Sequence, residues 1–210
     1  MKLISLLCNG MLVSIELFVL TLLFALPLGL IVAFGRRSKN ILISGITGIY
    51  ISVMRGTPLM LQLVVVYFGP YYIFERTIDR FTAAVVALAL NYAAYFAEIY
   101  RGGIDSIPKG QYEAGEVLGF TRMQVFFRIV LPQVVKRILP AISNEVITLV
   151  KDTALVTAIG VAEMFKAAQT ESSRILSVRP LFVAGAFYYV MNLVIERFFR
   201  FAEKKLDYYK

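Results

Sequence analysis

Residues 17–34 (LFVLTLLFALPLGLIVAF) carry no charged side chain. Joined to the mostly apolar residues before it, this stretch gives a helix over 11–34, long enough to cross the roughly 30 Å hydrocarbon core of a bilayer. Pro27 and Gly29 would kink or thin that helix, which membrane spans tolerate. It ends at Gly35-Arg36-Arg37-Ser38-Lys39, and basic residues beside a span mark its cytoplasmic end. Glu16 stands near the other end, where an outer-interface position and a polar lining role are both open.

The rest of the chain repeats this pattern. Hydrophobic residues make up 59% and the mean hydropathy is +0.72, more than the interior of a 210-residue soluble domain would take up. The net charge of +8 could suggest nucleic acid, but fifteen of the 22 Lys and Arg fall within 36–55, 101–137 and 197–210. Basic segments alternating with neutral spans follow from membrane topology, so a nucleic-acid partner is excluded. With Cys8 as the one cysteine and no histidine, intrachain disulfides and the commonest metal ligands are absent, and no metal site is expected. The N-terminus lacks the basic, apolar, small-residue order of a signal peptide, and the first span is expected to stay.

Residues 41–54 are apolar but short, and Arg55-Gly56-Thr57-Pro58 stops them. They suggest a helix near the cytoplasmic face, followed by a second span over 58–74 that Pro58 can start. A short outer loop through Arg80 leads to a third span over 81–100. Its polar residues Asn91, Tyr95 and Glu98 lie at i, i+4 and i+7, within about 40° of one another on a helix. Such a stripe faces protein or a cavity rather than lipid. An ionised Glu98 needs a cation, and both Arg101 and a substrate ammonium qualify.

Residues 101–132 interrupt the apolar pattern with glycine, proline and clustered charge. Gln111, Glu113 and Glu116 favour a short helix that Gly119 can stop. Beyond it, 122–137 reads as a basic amphipathic segment whose Phe126, Phe127, Val130 and Leu131 can lie on the membrane. Pro132 and Pro140 are expected to bound the turn into the fourth span, 138–166, which Lys151-Asp152-Thr153 breaks. A charged break inside a membrane is tolerated where the loosened backbone is buried in protein or lines a cavity. Asp152 can also simply cap the next helix. A polar outer loop over 169–179 precedes the fifth span, 180–199, where Glu196 is expected to pair with a neighbouring arginine. The expectation is an all-α membrane protein: a single domain with five spans, an outside N-terminus and a cytoplasmic C-terminus.

Two sets of residues resemble a known family. Glu113-Ala114-Gly115, then Gly119, Ile129, Leu131 and Pro132, have the spacing of the EAA loop of ABC-importer permeases, with Gly115 in place of the second alanine. RGTP at 55–58, AEIYRGGI with IPKGQYEA at 97–114, KDTAL at 151–155 and GVAE at 160–163 are similar to the polar amino-acid permeases of that family. The resemblance implies that 101–132 is a coupling loop whose short helix docks on a separate ATPase. It further implies two ATP-binding subunits holding ATP and Mg2+, a second permease chain, an external solute-binding protein and a prokaryotic inner membrane. It implies import of an amino acid by alternating access, and this chain itself binds no cofactor. Gly115 would loosen the coupling helix by up to about 1 kcal/mol relative to alanine.

An amino-acid substrate needs an acceptor for its ammonium and a donor for its carboxylate. Glu98, Asp152 and Glu163 are candidate acceptors. Asn91, Tyr95 and the backbone from Thr153 onward are candidate donors, as at the broken helices of other transporters. Three acids lean towards a basic amino acid. There is no GxxxxGK[ST], GxSxG or HExxH motif, and without histidine no His-based triad can form, so catalysis is not expected of this chain. An ion-gradient-driven carrier or channel and a non-transporting membrane anchor are the rival readings. Both leave the EAA spacing unexplained.

Overall fold

The structure is a computed structural model describing residues 2–206, and all its regular elements there are helical. In chain order these are α1 (Lys2–Arg36), α2 (Ile41–Gly56), α3 (Leu59–Phe74), α4 (Arg80–Asp105), α5 (Lys109–Val117), α6 (Arg122–Val125), α7 (Leu131–Asp152), α8 (Met164–Ile175) and α9 (Arg179–Leu206). A π-helical stretch, Phe126–Val130, joins α6 to α7, and a 3-10 stretch, Thr153–Ile159, follows α7. Among the described residues α1, α4 and α9 are each long and apolar enough to cross a membrane, and the bent pair α2–α3 could make a fourth crossing.

At 35 residues α1 extends about 50 Å, so the expected span over 11–34 is the C-terminal two-thirds of a longer helix that Pro27 does not interrupt. It packs along α4, which is the centre of the molecule and also contacts α2, α3 and α7. Alanines make this possible: Ala83, Ala84, Ala87, Ala93, Ala94 and Ala97 are all buried, so neighbouring backbones approach from several sides. Where α1 crosses α4, a Cβ on Gly29 would stand 2.9 Å from the Phe96 Cβ.

The chain turns by 112° between α2 and α3. Pro58 disfavours helical geometry at the residue before it, and Thr57 is extended (φ −118°, ψ 149°). The break frees carbonyls at the end of α2, and two amide side chains recover them. Gln62 Nε2 donates to the Met54 carbonyl at 2.9 Å and to Thr57 Oγ1 at 2.8 Å, while Asn91 Nδ2 donates to the same Met54 carbonyl at 3.0 Å.

Several expectations for the second half change. Residues 101–105, assigned to the loop, are the last turn of α4. Pro132 and Pro140 do not bound a turn, because 122–152 is one continuous rod and the fourth helical segment starts well before residue 138. Pro132 has no N–H to donate, and its ring would meet the carbonyl of Arg128; the widened π-helical turn lies there. Val130 is fully buried against the Ile104, Ile107 and Val125 cluster rather than lying on a membrane, whereas Phe127 is exposed.

The break near 151–153 takes a specific form. The α-geometry ends at Asp152 and tightens to 3-10, and Gly160 (φ +79°) then turns the chain back towards α8. Asp152 caps nothing; Glu163 is the N-cap of α8. Residues 169–175, expected as loop, complete α8, which stops at Leu176. In α9, Glu196 pairs with Arg200 as expected.

Candidate functional site

Beside the α2–α3 bend, α4 and α7 enclose a cavity of about 220 Å3, lined by Thr57, Leu59, Asn91, Tyr92, Tyr95, Glu145, Thr148 and Asp152. Proline at 58 leads α3 away from α2 and so brings Thr57 and Leu59 to the wall. Helix α4 contributes adjacent faces through Asn91, Tyr92 and Tyr95. Helix α7 presents Glu145, Thr148 and Asp152 at i, i+3 and i+7, a single stripe at its C-terminal end. The Tyr92 hydroxyl donates to Asp152 Oδ2 at 2.7 Å, fixing one carboxylate oxygen. Two acids thus face one half-enclosed space, an arrangement suited to a cationic group.

Of the residues singled out from the sequence, Asn91, Tyr95 and Asp152 come together at this cavity. The amide nitrogen of Asn91 is occupied by the Met54 carbonyl and by Gln62 Oε1 at 2.9 Å. Tyr95 carries the Arg55 guanidinium over its ring, 5.3 Å from the centroid. Glu98 lies one turn further along α4 and is held by Arg101 through two hydrogen bonds, Nε to Oε1 at 3.0 Å and NH2 to Oε2 at 2.7 Å. Arg101 also pairs with Asp105, and Asp105 with Arg37, the residue after α1, so an alternating charge chain ties α4 to the end of α1.

Thr153 is buried, its hydroxyl donated to the Val150 carbonyl. Glu163 is fully buried in a different place. Its carboxylate accepts from the hydroxyls of Ser14, Thr157 and Tyr188 and from the backbone N–H groups of Phe165 and Lys166. That carboxylate joins α1, the 3-10 stretch, α8 and α9. Glu145, Tyr92 and Thr148 were not among the sequence candidates, although the 145/148/152 spacing on an apolar helix is a readable signal.

The residues of the EAA-like spacing divide by direction. Glu113, Ala114 and Gly119 are exposed, next to exposed Val117 (87%) and Leu118 (70%), which form an apolar patch at the end of α5. Gly115 and Ile129 point inward. A Cβ on Gly115 would lie 2.6 Å from Val125 Cγ2 and 3.2 Å from Ile129 Cδ1, so α5 and the rod touch here almost backbone to side chain. Leu131 and Pro132 are half-buried where the rod leaves this contact. Gly119 (φ +77°) lets the chain reverse, and Thr121 and Gln124 form a reciprocal cap that restarts the helix.

The family described as binding-protein-dependent transport system inner membrane component matches residues 25–208. The chain is 41% identical to the arginine transport system permease protein ArtQ of Bacillus subtilis (strain 168), over 94% of this chain and 91% of that one. It is 38% identical to the L-cystine transport system permease protein TcyB of the same organism, over 97% and 87%. Among solved structures, an amino acid ABC transporter crystallised with histidines superposes at a TM-score of 0.90 with 35% identity, covering 97% of this chain and 95% of that one. An inward-facing MetNI methionine ABC transporter shares the fold at a TM-score of 0.77 and 19% identity, covering 98% of each chain.

Proposed function

Because this chain belongs to the family of binding-protein-dependent transport system inner membrane components, we propose that it is the permease subunit of an ATP-driven importer that carries a polar amino acid by alternating access. The likeness along nearly its whole length to arginine and cystine permeases carries this reading. The chain is a transport subunit, and hydrolysis belongs to a separate subunit. Two ATP-binding subunits holding ATP and Mg2+, a second permease chain and an external solute-binding protein complete the assembly. In a prokaryotic inner membrane α1, α3, α4, the α7-to-α8 segment and α9 form five spans, with the N-terminus outside.

Within this reading the cavity between α4 and α7 binds substrate. Glu145 and Asp152 take the ammonium, with Tyr95, Thr148 and the Asn91 carbonyl side near it. Glu98, Thr153 and Glu163 support the site from outside the cavity through their own hydrogen bonds. The exposed end of α5, with Glu113, Ala114, Val117 and Leu118, docks on the ATPase. Gly115, Ile129, Leu131 and Pro132 transmit its displacement into the rod that ends at Asp152. One continuous helix thus reaches from the docking region to the cavity, which suits mechanical coupling.

Reconstitution tests this. The permease, co-purified with its ATP-binding subunit in proteoliposomes with the solute-binding protein, should take up labelled arginine, glutamine or cystine only when ATP is supplied. Uptake driven by an ion gradient without ATP would overturn the assignment.

A further inference from the structure

Helix α9 is uncharged from Pro180 to Ile195 and then turns basic, so Arg200 and Lys204 stand at headgroup depth when the helix crosses a bilayer. There α9 and the rod enclose a second cavity, of about 440 Å3, that shares no lining residue with the α4–α7 site. Its wall carries three cations, Lys136 of α7 with Arg200 and Lys204 of α9, against one acid, Glu203, and Leu139 and Leu206 add apolar surface. Lys136 has a partner of its own, so it contributes charge rather than a required bond. Glu196 takes one nitrogen of the Arg200 guanidinium, which leaves the donors on its other two nitrogens. Lys204 is exposed and, among the described residues, in no ion pair. The cations alone would suit any phosphate. The neighbouring surface of α9 narrows the choice: Val190, Val194, Phe198 and Phe201, at i, i+4, i+8 and i+11, form an apolar stripe and are each more than half exposed. Lys204 follows Phe201 by about one turn, so the stripe leads to the cavity. An apolar track along a span that ends in a basic cavity has the order of a phospholipid, acyl chain first and phosphate at its end.

We propose that the cavity between α7 and the end of α9 binds the headgroup of an anionic phospholipid, with Arg200 and Lys204 donating to its phosphodiester and an acyl chain lying on the Val190–Phe201 stripe. The excess of cations disfavours a headgroup ammonium, whereas Glu203 can accept from a headgroup hydroxyl, so a glycerol headgroup fits better than an ethanolamine one. A lipid seated there fills the space between α9 and the rod and steadies one against the other. The inference does not depend on what the α4–α7 cavity binds.

The test titrates dioleoyl phosphatidylglycerol and dioleoyl phosphatidylethanolamine against the detergent-purified permease–ATPase complex and counts retained lipid by native mass spectrometry. The unsubstituted complex should bind phosphatidylglycerol about fivefold or more tightly than phosphatidylethanolamine. Arg200→Gln combined with Lys204→Gln should reduce that preference to about twofold or less. Arg197→Gln combined with Lys205→Gln removes the same charge from α9 outside the cavity and should leave the preference within about twofold of the unsubstituted value. Equal loss in the two double variants would reduce the effect to general surface charge and overturn the site, as would the absence of any preference in the unsubstituted complex. A third arm adds sn-glycerol 3-phosphate, which has the phosphate without the chains. Displacement of the lipid by this compound at matching concentration would make the cavity a soluble-phosphate site and overturn the lipid assignment. If loss of the Arg200–Glu196 pair prevents assembly, Lys204→Gln alone decides: an unchanged preference there overturns the proposal. Neither ATP nor an amino acid is present, so a negative result leaves the transport reading untouched.

Discussion

The Tyr92 hydroxyl donates to Asp152 Oδ2 at 2.7 Å, bridging the centre of α4 to the last α-helical turn of α7. Asp152 is the point at which the rod that starts at Arg122 changes from α to 3-10 geometry, so this bond sets where the rod's end sits against the core. Tyr92 is otherwise buried by packing against Phe96 and the α1–α4 core, which fixes its ring.

Removing the hydroxyl alone should therefore leave the fold intact and free Asp152. Tyr92→Phe is expected to raise the KM for uptake about fivefold, the equivalent of about 1 kcal/mol, with complex yield and kcat little changed. Uptake kinetics in proteoliposomes check this. An unaltered KM would show that Tyr92 does not position the carboxylate.

Asn91 serves as a test of what a side chain at a cavity wall is for. Its amide nitrogen supports the α2–α3 bend through the Met54 carbonyl and Gln62. Asn91→Leu keeps the volume and removes the donor, leaving Gln62 Oε1 unmatched and the Met54 carbonyl held by Gln62 alone, at a cost of about 1 kcal/mol. The melting temperature of the purified complex should fall. A variant that melts normally but no longer binds substrate would make Asn91 a ligand rather than a brace.

Gly115 lies so close to Val125 that a side chain there would meet its Cγ2 at 2.6 Å. Alanine would favour the helix of α5 by up to about 1 kcal/mol. Valine within a helix has one dominant rotamer, however, so the crowding costs about 1–3 kcal/mol and wins. Gly115→Ala should shift α5 off the rod and lower the uptake obtained per ATP hydrolysed. Adding Val125→Ala should restore it. Measuring hydrolysis and transport together in one proteoliposome preparation separates this uncoupling from a general loss of protein. The reason for glycine here is contact, not the looseness that propensity alone suggests.

Much of the helical layout was legible because it depends on hydropathy and on local stops: the uncharged stretch within α1, the stop at Pro58 and the reversal at Gly119 all leave a mark in the sequence. What was hidden depends on partners distant in the chain. Proline at 132 reads as a boundary, yet a π-helical turn absorbs it and the rod runs on. Glu98 and Asp152 look alike as intramembrane acids, but Arg101 takes the first and the cavity receives the second. Glu145 lies within a mostly apolar stretch, and only the packing of α4 opposite its stripe gives it a cavity to face. Of the site, the stripe on α4 and Asp152 on α7 were readable, whereas the pairing of Glu145 and Thr148 with them depends on how α7 packs against α4.

Glu163 marks the far limit of that reading. It resembles a ligand in sequence, standing as an acid in the GVAE segment, yet its carboxylate is fully buried and accepts from five donors on four helical segments. A buried carboxylate with that many donors is a fastening, and the donors depend on it as much as it depends on them. Glu163→Ala would leave three hydroxyls and two N–H groups without their acceptor and remove the N-cap of α8, together costing about 3–5 kcal/mol. Glu163→Gln keeps one acceptor oxygen and the shape, and should retain part of that stability. The expected order of melting temperature is therefore wild type, then Gln, then Ala, with transport in the Gln variant changed mainly in rate rather than in substrate preference. A Gln variant of unchanged stability that exchanges one substrate for another would place Glu163 in recognition after all.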